Sequence, residues 1–427
     1  MKINTAYVNL LFIAFAVTIA FFVGEGGKNF FLLGIMLLAP LFFVTCKVKF
    51  DRVVVAFFVF IFFLVLSVFF NIDRFRASSF FYTFFFVVSF LVLRNGILKE
   101  YFGIYGWIKR IKYLIYAYFI VMLLQQFCVF FHLPVINQIV SFDNPWKLSS
   151  LALEPSHLPR FLFFMVYAYL SLRKILLGGS YKFKDFKIDK FVWLSYFWCM
   201  LTCGSITALL FVLLIFFQGR KIRMRKIILI VLGGGFVILG ISLFVNSTLL
   251  TRTFAFLNAF STLSIAEINA VDHSAAYRFA PIFAFLKHFD LTNVHFWLGY
   301  GLDYGREYCQ RFMFALSGDI AYNQGINIGG MAAFIMDYGI MFILTLGIAV
   351  FETVKECKDR MILIVWVLSS LVESINMQMF WFSLILLVCV GYYTKKNDNN
   401  CMEKAQSDAE KSLLSTEHRS LMLNRGA

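Results

Sequence analysis

Charge is scarce in this chain: 15% of its 427 residues are charged, whereas 61% are hydrophobic and 56 are phenylalanine. A soluble globule needs more polar surface than that to cover itself, so one is excluded as the bulk of this protein. Paired thiols are scarce too. The eight cysteines include no C-x-x-C, which leaves a zinc site or a dithiol redox motif unsupported. No internal repeat is visible. Gly299, Gly301 and Gly305 of LGYGLDYGREY follow the spacing G-x-G-x-x-x-G outside any βαβ context, which excludes a dinucleotide fingerprint. GEGGKN, after the first apolar run, offers no small-residue cleavage site, so that run reads as a retained span rather than a signal peptide.

What is abundant is apolar sequence of spanning length. Runs lie at 7–23, 30–46, 53–70, 78–93, 113–131, 159–175, 191–217, 227–245, 329–351 and 361–393. Crossing a bilayer takes roughly 20 such residues. Two runs are too long for one helix and carry an interruption, at Thr202–Ser205 and at VESINMQ, and both are flanked by basic residues on each side. They read as short helical hairpins at 191–217 and 361–393 that return to the side they left. The expectation is an all-α polytopic integral membrane protein with about 12 transmembrane helices. It divides into N-terminal helices at 1–131, an outer segment at 132–158, helices at 159–245, a large outer loop with short helices at 246–328, C-terminal helices at 329–393, and a polar tail at 394–427, disordered or loosely helical.

Sidedness follows from lysine and arginine in short loops. With both termini in the cytoplasm, the basic loops 47–52, 94–112 and 173–190 fall inside, and so does GRKIRMRK after the first hairpin. The outer side then holds 10 basic against 10 acidic residues and the inner side 29 against 12, while Asp337 and Glu373 fall within apolar runs. The net charge of +15 is thereby an orientation signal, and no nucleic-acid partner is needed to explain it. The phenylalanine-rich stretches FFVFIFFLVLSVFF and FFYTFFFVV read as lipid-facing filler.

Chemistry-bearing residues gather on the outer side. Five of the six histidines, His132, His157, His273, His288 and His295, lie there. In LEPSHLPRF, Pro155 and Pro159 hold the chain out of helix until the next span begins, which fixes Glu154, His157 and Arg160 on a stiff segment at the membrane rim. A carboxylate and an imidazole three residues apart can supply a general base and its orienting partner, and an arginine nearby can stabilise phosphate charge. The bland alternative is a helix start whose polar residues face water. Further on, HSAAYRFAPIFAFLKHF places Ala275, Phe279, Ile282, Leu286 and Phe289 on one helical face, as in a helix lying in the headgroup layer with Arg278 at the lipid surface. The LGYGLDYGREY turn either brings backbone amides and Arg306 to an anion or is a turn and nothing more. A disulfide between Cys203 and Cys309 is conceivable.

Taken together, EPSHLPRF before a span, LTCGSITALLFVLL in a hairpin, YRFAPIFAFLKHF leading to FWLGYGLDYG, and YNQGINIGGMAAFIMDYGIMFILTLGIAVF resemble the O-antigen polymerase (Wzy-type) family and the related O-antigen ligases. The likeness runs from about residue 150 to 390 and rests on the order of loose motifs. It implies a glycosyltransferase of the bacterial inner membrane with a periplasmic active site. Such an enzyme moves a growing glycan from undecaprenyl diphosphate to the non-reducing end of a lipid-linked repeat. Lipid-linked donor and acceptor, membrane lipid, a chain-length regulator and a flippase are the partners it implies; no cofactor and no metal are expected. In this reading Glu154, His157 and Arg278 are catalytic, Arg278 matching the family's arginine that opens the helix before the G-x-G turn and holds the diphosphate. Arg160, Tyr277, Asp303, Arg306, Arg311, Tyr322 and Asn323 bind substrate. The ligases resemble His-Asn where this chain has Tyr322 and Asn323, which favours the polymerase. A ligase, or a transporter using Asp337 and Glu373, are the competing readings.

Overall fold

The computed structural model describes residues 2–24, 28–74, 77–139, 145–179, 181, 183–203, 206–218, 282, 286, 289–301, 304, 307, 331–371 and 375–423. Described residues are mostly helical and form no strand; the nearest approach to one is a single isolated bridge between Val23 and Asn29. The helices are α1 (Lys2–Ala16), α2 (Phe30–Met36), α3 (Ala39–Thr45), α4 (Arg52–Phe70), α5 (Ala77–Leu98), α6 (Gly103–Phe130), α7 (Leu158–Leu176), α8 (Phe183–Ile188), α9 (Lys190–Thr202), α10 (Ile206–Gln218), α11 (Val294–Leu298), α12 (Met331–Tyr338), α13 (Ile340–Val354), α14 (Arg360–Leu371) and α15 (Gln378–Leu423). Three of them, α4, α5 and α6, are long and apolar enough to cross a membrane; shorter apolar helices cover Lys2–Ala16, Phe30–Thr45, Ile340–Val354 and Arg360–Ser370. The run at 227–245 lies outside the described residues.

Helix α4 shows how the apolar surface is divided. Val53, Val54, Phe57, Phe60 and Leu64 are buried on one face, while Val55, Phe58, Val59, Phe62 and Phe69 are exposed on the other. A helix apolar all round, with half its surface uncovered by protein, suits hydrocarbon as its second neighbour. Part of the phenylalanine-rich sequence is nonetheless core. Phe57 and Phe86 pack on Trp381 with centroids 5.9 and 6.0 Å apart, and Phe60 meets Phe342 at 4.7 Å. Phe57 and Phe60 share a face because they are three residues apart, a periodicity hidden by the uniform composition of the run.

Several expected spans change shape. The run 30–46 is broken between α2 and α3, because Pro40 in the first turn of α3 cannot continue an incoming helix. Gly339, at φ +81°, separates α12 from α13 within 329–351. Helix α6 starts ten residues before the apolar run it contains, inside the basic loop. Lysine and arginine are good helix formers, and Arg110 covers the Phe102 ring at 3.5 Å while its Nε donates to Asn9 Oδ1 at 2.6 Å. The tail continues α15 as helix to Leu423.

Both expected hairpins are present as paired arms. Tyr196 Oη on α9 donates to the Phe211 carbonyl on α10, and Trp366 Nε1 on α14 donates to Ser383 Oγ on α15 at 2.8 Å. At 13 residues each, α9 and α10 are about 20 Å long, short of a roughly 30 Å hydrocarbon core. Cys203, at the end of α9, is buried with its Sγ 3.5 Å from the Met200 carbonyl; Cys309, its partner in the disulfide considered above, lies outside the described residues.

The bundle has two chemically distinct ends. At one, Arg94 grips Asp51 with bonds of 3.2 and 2.6 Å, Lys395 pairs with Glu356 at 2.8 Å, Lys358 with Asp398 at 2.6 Å, and Lys396 with Glu100. The Lys396 hydrogen bond holds the Glu100 carboxyl below its usual range. At Asp51 burial pushes upward, but Arg94 and the amides of Val54 and Val53 outweigh it. At the other end lies a network of uncharged polar groups. Asn137 Oδ1 accepts from the Ala20 amide at 2.7 Å, and its Nδ2 donates to the carbonyls of Thr18 at 3.0 Å and Ser150 at 2.7 Å. Ser150, at φ +53°, is held there by Gln125 Oε1 on its amide and by its own hydroxyl on the Tyr118 carbonyl. Gln378 joins Thr18 Oγ1 to Asn29, and the Thr18 amide donates to the Leu151 carbonyl at 2.8 Å. Asn137→Ala is expected to leave the part-buried Ala20 amide and Thr18 carbonyl without this partner and to lower stability by about 1–3 kcal/mol, read as a fall in melting temperature of the detergent-solubilised chain.

Candidate functional site

The polar network fixes the segment that carries Glu154, His157 and Arg160. It ties Ile136, Asn137, Ser150 and Leu151 to the ends of α1 and α6, at the bundle end opposite the paired lysines and arginines. From Ala152 the chain turns: the amides of His157 and Leu158 both return to the Glu154 carbonyl, at 3.0 and 3.4 Å, and the Ala152 amide donates to Ser149. Helix α7 then begins at Leu158 with Pro159 in its first turn, as the two prolines predict.

The three side chains sit at graded depth. Glu154 is half-buried and accepts a hydrogen bond from Ser156 Oγ at 3.3 Å. His157 and Arg160 are buried, at 9% and 8% exposure, and Arg160 Nη1 is sealed from solvent. The depth arises because α7 is a central helix, with every residue from Leu158 to Tyr169 buried. A helix start that merely faces water would leave these groups outside. An imidazole and a guanidinium buried at the start of a central helix, three and six residues after a half-open carboxylate, are groups suited to proton transfer and to holding an anion.

The second part of the site is the turn after α11. Gly299 N–H donates to the His295 carbonyl at 2.7 Å, Tyr300 N–H to Met336 at 2.9 Å and Gly301 N–H to Asp337 at 3.1 Å. These amides are consumed by carbonyls, so they do not form the anion-binding nest that was one reading of the glycines; the tight turn itself is present. It docks between α4 and the α12–α13 break. Ser67 Oγ donates to the Leu298 carbonyl and Asn71 Nδ2 to the Gly299 carbonyl at 3.1 Å. Beyond it His295, Tyr300 and Tyr304 stack in series, and Arg74 lies over Tyr304 at 5.2 Å and pairs with Glu307 at 3.1 Å. Burial, then the neighbouring Tyr304, raises the Tyr300 hydroxyl above its ordinary range.

Ser67 and Asn71 close the far end of α4 from Asp51, so this turn and the Glu154 segment occupy the same end of the bundle. Asp337 sits at a helix break with its carbonyl capped by Gly301, rather than midway along a span. Tyr277, Arg278, Asp303, Arg306, Arg311, Tyr322, Asn323 and Glu373 lie outside the described residues. Of the expected amphipathic segment, Ile282 and Leu286 are helical, Leu286 and Phe289 are exposed, and Phe289 leans on Phe296 at 4.9 Å. Among the described residues no three His, Cys, Asp or Glu side chains gather to hold a metal ion. Ser67, Asn71, Arg74, Gln125 and Asn137 were missed by sequence reasoning; Asn71 and Arg74 fall in what reads as a short outer turn. The one signal was an amide side chain closing the apolar run at Phe70.

Comparison of the chain with family models, with curated proteins and with solved structures yields no match.

Proposed function

We propose that this protein is a surface-polysaccharide polymerase of the O-antigen type, which transfers a growing glycan from undecaprenyl diphosphate to the non-reducing end of a lipid-linked repeat unit. The observation that carries the reading is the burial of His157 and Arg160 beside half-open Glu154 at the end of the bundle away from the basic clusters. The resemblance of the surrounding motifs supports it. Departure of a diphosphate develops negative charge that a buried arginine can meet, and the attacking sugar hydroxyl calls for a base such as Glu154 or His157. On this reading the paired basic end faces the cytoplasm and the Glu154 end the periplasm of a bacterial inner membrane.

Deleting the gene is the test in the cell. Surface polysaccharide should shrink to single repeats attached to the lipid core; complete loss of polysaccharide from the core would point to a ligase, and accumulation of repeats on the inner leaflet to a transporter. Orientation is checked separately by labelling single cysteines with an impermeant thiol reagent on intact cells after removal of the outer membrane. A cysteine replacing Lys147 is expected to react and one replacing Lys358 to stay protected. The reverse pattern contradicts the orientation.

A further inference from the structure

At the basic end, the start of α4, the end of α5, the end of α13 and the middle of α15 surround a cavity of about 750 Å³. Seven cationic side chains from these separate stretches line it, against four carboxylates. Three of the carboxylates are occupied: Asp51 by Arg94, Glu352 by Lys355 and Glu356 by Lys395. Lys99 is spent on the carbonyls of Cys46 and Lys47, at 2.6 and 3.0 Å. Lys396 is paired with Glu100, outside the wall; Lys49 and Arg52 remain, with no ion pair among the described residues, against the one remaining wall carboxylate, Glu403. The wall changes character with depth. Val53, Leu98 and Val388 form its apolar part, and Val388 belongs to the fully buried stretch of α15.

We propose that this cavity is a discrete binding site for a phosphate-bearing anion, with Lys49 and Arg52 as its direct ligands and the headgroup of an anionic phospholipid as the occupant its apolar wall favours. The site is independent of the polymerase reading. Orientation by positive charge needs only cations on one side of the bilayer and no particular arrangement. Here they converge on a concavity of ligand size at one end of the bundle. The Arg94–Asp51 pair, with the Arg94 side chain 11% exposed, holds the walls in register and leaves Arg52, the residue after Asp51, to line the cavity.

The test uses the full chain in zwitterionic detergent. Three forms are compared: the natural sequence, K49E/R52E, and K109E/K112E, which reverses two cations at the same end on α6 that are not part of the cavity wall. Retention of phosphatidylglycerol against phosphatidylcholine is read by native mass spectrometry, and melting temperature is read with added phosphatidylglycerol or inorganic diphosphate. Phosphatidylglycerol should bind the natural chain and K109E/K112E alike and bind K49E/R52E about tenfold or more weakly. Stabilisation by diphosphate without phosphatidylglycerol retention assigns the site to a soluble anion instead. Equal loss in both variants shows collective charge alone and overturns the proposal, as does binding of neither ligand by the natural chain. Should K49E/R52E misfold, K49Q/R52Q carries the same comparison.

Discussion

Glu154→Gln is expected to cut the rate of chain extension by about 10²–10⁴-fold while leaving the protein folded. The amide matches the carboxylate in size and can still accept from Ser156 Oγ, whose 3.3 Å contact is the hydrogen bond recorded for that carboxylate. Glu154 is half-buried, so the change empties no core volume. The carboxylate's charge and its capacity to take a proton are lost. Polymer length on gels and the melting temperature of the purified variant separate the two outcomes. Short chains from a protein of unaltered stability assign Glu154 to the chemistry, and polymer of normal length removes it. Arg160→Lys adds a second reading: a lysine keeps the charge at that depth but loses the planar fork, so a drop in rate with the lysine present marks bidentate contact with the diphosphate.

Gly299→Ala and Gly339→Ala are each expected to lower stability by about 2–4 kcal/mol and to release the turn after α11 from the bundle. The two glycines meet back to back. A Cβ on Gly299 would stand 2.1 Å from the Asp337 carbonyl oxygen, and one on Gly339 would stand 2.1 Å from that of Trp297. Both obstacles are backbone, which cannot swing aside. Both glycines also hold positive φ, +85° and +81°, where any Cβ is strained. Gly347→Ala is the control: nothing lies within 4 Å of its built Cβ, and alanine suits the interior of α13. Thermal unfolding of the three variants checks this; equal stability of all three would mean that the turn does not pack against the α12–α13 break.

The helical class and the paired arms at 191–217 and 361–393 were legible because apolar length and interruption are properties of the chain itself; the number of spans was not, since among the described residues three helices are long and apolar enough to cross a membrane and the first run, 7–23, is α-helical only to Ala16. The start of α7 was legible for a similar reason, since Pro155 and Pro159 act on the residues beside them. The break between α2 and α3 at Pro40 was equally local, though a continuous apolar run masked it. The glycine turn could be recognised as a turn, whereas the fate of its amides depends on Met336 and Asp337 carbonyls some 36 residues on. The same distance hides the role of Asn137, which binds Thr18 and Ala20 across more than a hundred residues. Burial of His157 and Arg160 belongs to this class. It follows from α7 occupying the centre of the bundle, which hydropathy cannot report for a helix apolar on nearly every side.

The most direct measurement supplies the purified chain, in lipid, with a defined undecaprenyl-diphosphate-linked repeat unit and neither nucleotide sugar nor added metal. The account predicts a ladder of lipid-linked products growing by whole repeats and reduced to single units with Glu154→Gln. A folded protein that leaves the repeat unit unchanged would contradict it.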